Sequence, residues 1–156
     1  MTVRKFEKTD AEAVSALIAH TLRTTNSKDY SHEYIEDIVG HHTPEEIIIK
    51  SRKTHFYLIC ENDTIIACGS IGQSENTADT CELYTIFVHP DYQSKGVGRK
   101  LIETLEGDEY SMSANRIELS ASITAVDFYK KLGYTLSEGV TKPGEDGLLR
   151  MEKLRT

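Results

Sequence analysis

The segment from Cys81 to Leu105 fixes more of this chain's architecture than any other. An apolar, β-branched run, CELYTIFV (Cys81 to Val88), ends at His89-Pro90 and passes through Gln93-Ser94-Lys95-Gly96-Val97-Gly98-Arg99 into a helical pattern. That pattern places Val97, Leu101, Ile102 and Leu105 on one face, so the helix must lie against a sheet that contains the strand. The first turn of a helix has unpaired N–H groups and the positive end of the helix dipole. Glycines let such a backbone approach an anion without side-chain obstruction, and Lys95 and Arg99 add positive charge, which suits a phosphate or pyrophosphate. The same glycines also suit a plain strand-to-helix turn with special dihedrals. Neither the Gly-Lys-Ser/Thr ending of a P-loop nor a G-x-G-x-x-G fingerprint is present.

The remaining segments read as elements around this unit. Val3 to Phe6 forms a short strand, and Thr9-Asp10-Ala11-Glu12 fits a capping box before Ala13, Val14, Leu17, Ile18 and Leu22 at helical spacing. A second helix covers Glu33 to Val39 and ends at Gly40; Thr43-Pro44-Glu45-Glu46 caps a third that runs to about Lys50. HFYLIC (His55 to Cys60) and TIIACGSI (Thr64 to Ile71) read as strands joined by a turn at Asn62-Asp63. Beyond the glycine turn, Arg116 to Ala121 is a strand. Ala125, Phe128, Tyr129 and Leu132 then share a helix face that Gly133 terminates. Tyr134 to Ser137 and Leu148 to Leu154 close the chain as strands around GVTKPGEDG. The order predicts a mixed α/β fold on one central sheet, with residues 1–156 as a single domain.

Composition narrows the function classes. A net charge of −7 argues against nucleic acid as a main partner, because neutralising phosphates requires a basic surface. No run of about 18 apolar residues predicts a membrane span. The N-terminal sequence lacks the apolar stretch of a signal peptide, and Cys60, Cys68 and Cys81 show no paired metal spacing, so buried thiols and a cytoplasmic location are expected.

At the glycine turn the chain resembles the GNAT superfamily of acyl-CoA N-acyltransferases. VHPDYQSKGVG (Val88 to Gly98) fills the family's Gln/Arg-x-x-Gly-x-Gly/Ala pattern after a strand ending in Val-x-Pro. ASITAVDFYKKLGY (Ala121 to Tyr134) is similar to its second segment, A-x-x-x-Tyr-x-x-x-Gly-Phe/Tyr. Residues 7 to 53 correspond only to the family's variable helices. The resemblance implies a central, mostly antiparallel sheet with a splayed parallel strand pair, flanked by helices, and acetyl-CoA as co-substrate without a metal. It implies pyrophosphate contacts from the amides of Ser94, Lys95, Gly96, Val97, Gly98 and Arg99, and pantetheine contacts from the backbone of Ile86, Phe87 and Val88.

The same resemblance implies direct attack of an amine on the acetyl thioester, with Tyr129 as general acid and Glu82 as the catalytic glutamate. Read from the residues alone, Tyr129 also fits a core tyrosine beside Phe128 and Leu132, and Glu82 fits an exposed residue at a strand start. Period-two alternation puts Glu82 and Tyr84 on one face unless a bulge intervenes. Glu118 is a second, less direct candidate base. Many relatives carry an Asn that contacts coenzyme A seven residues before the tyrosine. Ser122 stands there in this chain, with a shorter hydroxyl that can still hydrogen-bond. Tyr30, His32, Tyr34, His41 and His42 are expected around the acceptor pocket, the adjacent histidines as exposed loop residues because no third ligand stands at metal spacing.

The expected activity is acetyl transfer from acetyl-CoA to a primary amine, with the NSKDYS segment favouring a small-molecule acceptor. The alternatives are protein N-terminal or lysine acetylation, and a non-catalytic acyl-CoA sensor that needs the glycine loop but neither Tyr129 nor a base. Homodimers are frequent in the family, and nothing in the sequence requires one.

Overall fold

The β-branched and aromatic runs pair into one seven-stranded sheet, in the order β1-β2-β3-β4-β5-β7-β6. Its strands are β1 (Thr2–Lys5), β2 (His55–Glu61), β3 (Thr64–Gln73), β4 (Thr80–Val88), β5 (Arg116–Ala121), β6 (Thr135–Leu136) and β7 (Leu149–Leu154). All neighbours are antiparallel except β4 and β5. The computed structural model describes residues 1–155. The sheet is mostly antiparallel with one parallel pair and helices on both faces, as the resemblance implied.

Alternation along β2 shows how the sheet builds two cores. Phe56, Leu58 and Cys60 face one apolar cluster, while Ile59 faces the other. The first cluster is closed by α1 (Ala11–Thr24), α2 (His32–Gly40) and α3 (Pro44–Lys53), through Val14, Leu17, Ile18, Ile35 and Ile47. The second is closed by α4 (Val97–Glu106), whose Val97, Leu101, Ile102 and Leu105 are all buried at the predicted spacing, and by Tyr129 of α6 (Val126–Lys131). Gly69 of β3 lets α4 sit close. A Cβ there would stand 3.1 Å from Leu105 and 3.2 Å from Leu101.

Local signals mostly act as expected. Thr43 accepts from the Glu46 amide with Pro44 in the first turn, and Asn62 takes a positive φ in the β2–β3 turn. Four differences have physical causes. The capping box lies a little earlier than Thr9: Asp10 accepts from the Glu7 amide at 2.8 Å, and Arg4 holds the same carboxylate at 2.8 and 2.9 Å. The bidentate guanidinium fixes Asp10, so the chain enters α1 through a 3₁₀ turn over Lys8–Asp10. Helix α3 continues to Lys53 because no glycine or proline intervenes before Thr54 turns extended. Strand β6 is only Thr135–Leu136, since Tyr134 turns inward and its hydroxyl donates to Glu106 at 2.7 Å. A short α5 (Glu109–Met112), capped by Asp108 through the Tyr110 amide, is too brief to show periodicity in sequence.

Because Leu101 is fully buried between β3 and α4, Leu101→Ala is expected to remove about 2–5 kcal/mol of stability. Chemical denaturation measures this, and a loss below about 1 kcal/mol would show that α4 does not anchor the core.

Candidate active site

The centre of the molecule is a defect in β4. Cys68 of β3 pairs with Phe87 and Ser70 with Tyr84, so Gly69 alone faces both Thr85 and Ile86. Thr85 sits at φ +57°, a conformation that costs a β-branched residue of the order of 1–3 kcal/mol. Two side chains brace it. The Ser70 hydroxyl donates to the Tyr84 carbonyl at 3.2 Å, and the Cys68 thiol donates to the Thr85 carbonyl at 3.3 Å. Burial pushes the Cys68 thiol up to about 12, so it keeps the proton it donates.

The bulge reverses the alternation of the strand. Before it, Cys81 and Leu83 pack towards α4; beyond it, Ile86 and Val88 do so, and Phe87 turns to the α1–α3 side. The parallel ladder with β5 joins only Thr80–Leu83 to Arg116–Leu119. From Tyr84 to Val88 the strand has no β5 partner, and the two strands part. The carbonyl at the end of this stretch is engaged as well. Gln93 donates through Nε2 to Val88 O and to Thr25 Oγ1, each at 3.0 Å, tying the strand end to the end of α1.

The glycine turn follows at the open end. Ser94 and Gly96 take positive φ, 62° and 83°, and Gly96 caps α4 without a side-chain partner. The amides from Lys95 to Arg99 donate to no group among the described residues, so an array of N–H groups stands free at the helix start. The two glycines differ in purpose. A Cβ at Gly96 would meet nothing within 4 Å, so its requirement is the left-handed backbone. A Cβ at Gly98 would stand 2.8 Å from the Phe128 ring, so this glycine also admits α6 against α4. Val97 is buried in the core, Arg99 lies 4.0 Å from Glu103, and the exposed Lys95 holds its ammonium 5.8 Å from the Tyr92 ring centre.

A groove of about 1120 Å³ connects the turn with the parted strands, bringing Ser94, Gly98, Phe87, Ser122, Tyr129 and Glu82 to one surface. Tyr129 is buried edge-on against Phe128 and Tyr134, with ring centres 5.1 and 5.9 Å away. Its hydroxyl has no hydrogen-bond partner among the described residues. Every fully buried side-chain N or O does have one, so this hydroxyl reaches the groove. Burial alone raises the phenol's pKa, leaving it protonated and able to donate at neutral pH.

Glu82 and Tyr84 do share a face ahead of the bulge. Both oxygens of Glu82 are held by Arg150 of β7, at 3.0 and 3.2 Å. Arg150 also reaches Ser120 at 2.8 Å and Glu118 at 3.2 Å. Glu82 pairs in register with Glu118, and Glu118 with Glu152, so three carboxylates form a row across β4, β5 and β7. Arg150, with Arg116 at 3.8 Å from Glu118 and Glu152, offsets two of the three charges. Arg150 escaped the sequence reading; its only signal is the alternation Leu149, Met151 against Arg150, Glu152.

The far end of the groove is bridged. The Tyr30 hydroxyl donates to Gly147 O at 2.6 Å and accepts from the Ile123 amide at 2.9 Å. The Tyr34 hydroxyl donates to Asp146 O at 2.6 Å, and the two rings stack at 4.4 Å. The loop between β6 and β7 is thereby strapped onto α2. Gly147 lies flush on the Tyr34 ring, where a Cβ would come within 2.8 Å. His32 stands apart from this groove, in a shallow pocket with Arg23 and Glu36. His41 is exposed and 3.8 Å from Asp37. His42 differs from expectation: it is partly buried, lines the groove and meets Phe87 edge-on at 5.7 Å, because the end of α2 is folded against β4. Lys50 of α3 stands 4.0 Å over the Tyr84 ring. Among the described residues no three His, Cys, Asp or Glu side chains gather as a metal site, and no helix is long and apolar enough to cross a membrane.

Known proteins share this fold. The family model of the acetyltransferase (GNAT) domain matches residues 12–154. An N-acetyltransferase of Methanocaldococcus jannaschii is 35% identical over 80 residues, which cover 48% of this chain and 32% of that protein. The matches span about a quarter to a third of the curated relatives' own length. The crystal structure of PaiA N-acetyltransferase from Thermoplasma acidophilum in complex with coenzyme A superposes with a TM-score of 0.81 at 21% identity, covering 99% of this chain and 98% of that one. Ribosomal-protein-alanine N-acetyltransferase from Brucella melitensis gives a TM-score of 0.73 at 16% identity, covering 99% and 100%. With the family model spanning nearly the whole chain and the parted strands and glycine turn in place, the protein belongs to the GNAT acetyltransferase family.

Proposed function

We propose that the protein is a cytoplasmic N-acetyltransferase that moves the acetyl group of acetyl-CoA to a primary amine of a small molecule, within a ternary complex. The observation that carries this reading is the gap between β4 and β5 opening onto the unpaired amides of Lys95 to Arg99. These amides, with Ser94 and the charges of Lys95 and Arg99, suit the diphosphate, and the backbone of Ile86 and Phe87 suits the pantetheine arm. Ser122 lines the same groove and is in place for a further contact. The donor supplies an activated acetyl thioester; the chain supplies alignment, which carries much of the rate enhancement for a two-substrate reaction. Backbone N–H groups beside the bulge stabilise the developing oxyanion. Tyr129, protonated and open to the groove, gives its proton to the departing sulfur. Glu82 contributes as the acceptor-side carboxylate. Arg150 holds both its oxygens, which fixes the carboxylate at the groove wall.

A small acceptor is favoured by the strap of Tyr30 and Tyr34 on the β6–β7 loop, which crosses the end where an extended polypeptide would have to lie. A sensor that binds acyl-CoA without turnover has no use for a buried phenol whose hydroxyl faces the groove. Three free, buried cysteines suit a reducing compartment.

Tyr129→Phe is expected to lower kcat by about 10²-fold or more. Its coenzyme A affinity should stay within about twofold, less than 1 kcal/mol. Thiol release with a panel of amines and calorimetry measure the two quantities; a fully active variant would remove Tyr129 from the mechanism. The double variant Lys95→Ala/Arg99→Ala is expected to weaken coenzyme A binding by about tenfold or more, which is about 1.4 kcal/mol. Both side chains are exposed, so the melting temperature should hold, and an unchanged Kd would reject the diphosphate assignment.

A further inference from the structure

We propose that His42 is the proton acceptor of the reaction, taking the proton of the acceptor nitrogen on Nε2; this rests on the transferase reading above. The ring's protonation is set by its partner. Nδ1 lies 2.8 Å from the Ile38 carbonyl, which can only accept, so Nδ1 carries the hydrogen and Nε2 carries the lone pair. Nε2 has no partner among the described residues. Since no fully buried side-chain nitrogen lacks one, Nε2 opens into the groove that His42 lines.

The ring is also held still. The His42 amide donates to Val39 O at 3.0 Å, and the Ser15 hydroxyl of α1 donates to the His42 carbonyl at 2.7 Å. Its edge meets Phe87, two residues beyond the Thr85 bulge and on the stretch of β4 that has left β5. A base fixed there faces the acceptor side of the strand that positions the thioester. The titratable groups that line the groove with it are His41 after α2, Glu46 and Lys50 on α3, and Glu82 and Tyr84 on β4; α1 contributes the Ser15 hydroxyl to its carbonyl. Burial lowers the pKa of His42 against the opposing pull of the Ile38 carbonyl, and the Lys50 ammonium adds to the lowering. The imidazole is therefore neutral, and ready to accept, through the neutral pH range. Each Glu82 oxygen already accepts from Arg150, whereas Nε2 of His42 has no partner among the described residues.

The bound ammonium gives one proton to Nε2, which passes it to solvent, and the freed lone pair forms the bond to the acetyl carbon. The carbon–sulfur bond breaks, the thiolate takes the proton of Tyr129, and the second proton of the nitrogen restores the tyrosine by way of solvent. Hydroxylamine, already unprotonated, needs only the second transfer.

The test uses acetyl-CoA with benzylamine, phenethylamine and cadaverine, which are ammonium ions at neutral pH, and with hydroxylamine, whose nitrogen is already unprotonated there. For His42→Gln, kcat/KM with the alkylamines should fall by about 10²-fold. The wild type's break in rate on acidification, measured from about pH 8 to 5, should give way in the variant to a residual rate that only follows the free-amine fraction. Hydroxylamine turnover should stay within about threefold, a change of less than 1 kcal/mol. Equal losses with both acceptor types would mark a structural role and overturn the proposal, as would unchanged alkylamine turnover or an unchanged acid limb. Should the variant fail to fold, side-chain ¹⁵N spectra of the wild type decide: an Nδ1–H tautomer with unprotonated Nε2 at pH 7 supports the proposal, and an Nε2–H tautomer or imidazolium overturns it. A folded wild type that binds coenzyme A but turns over none of these amines would reject the transferase reading itself, and the base with it.

Discussion

Two parallel strands that pair over four residues each and then part are the condition for everything else in this molecule. A continued ladder would consume the backbone groups of β4 and close the groove. The parting follows from one extra residue at Thr85 and Ile86, held by the Ser70 hydroxyl and the protonated Cys68 thiol. The strain at Thr85 is borne by the neighbouring core, where β3 and β4 share the most extensive strand contact and Gly69 admits α4 beside the bulge. The same residue count flips the strand's faces. Phe87 reaches the acceptor side for that reason, and His42 has a ring to lie against.

The two ends of the groove are closed by different chemistry. At the turn, unpaired amides and flanking cations form a fixed positive surface that needs no rearrangement to meet an anion. At the other end, phenols bond backbone carbonyls of a long loop, and a row of carboxylates is partly offset by Arg150 of β7. This division suits the proposed two-substrate reaction, with a charged carrier at one end and variable segments shaping the other. Arg150 joins β4 and β5 where they still pair, through Glu82, Ser120 and Glu118. Without it, the in-register glutamates of β4 and β5 would face each other as like charges.

What the sequence made legible was local. The strand, the turn and the α4 stripe adjoin one another in the chain, so period and glycine placement sufficed. The helix carrying Tyr129 and its stop at Gly133, which takes φ +94°, were equally local. The bulge was not legible, since YTIFV contains no glycine or proline and alternation reads straight through it. The clamp of Arg150 on Glu82, the Tyr30 bond to Gly147 and the contact of His42 with Phe87 join distant segments that no periodicity connects. Gly98 shows the same limit from another side. Its place in the motif pointed to anion approach, while its contact with Phe128 arises only when α6 packs on α4. Asp10 in place of Thr9 was decided by Arg4, a residue on a strand.

Titrating the isotope-labelled protein with coenzyme A and following its backbone amide resonances tests the central claim most directly. The account predicts saturable shifts at Lys95 to Arg99 together with Ile86 and Phe87, the two sides of a single ligand path. Shifts confined to the pocket beside Arg23 and Glu36, or none at millimolar ligand, would contradict it.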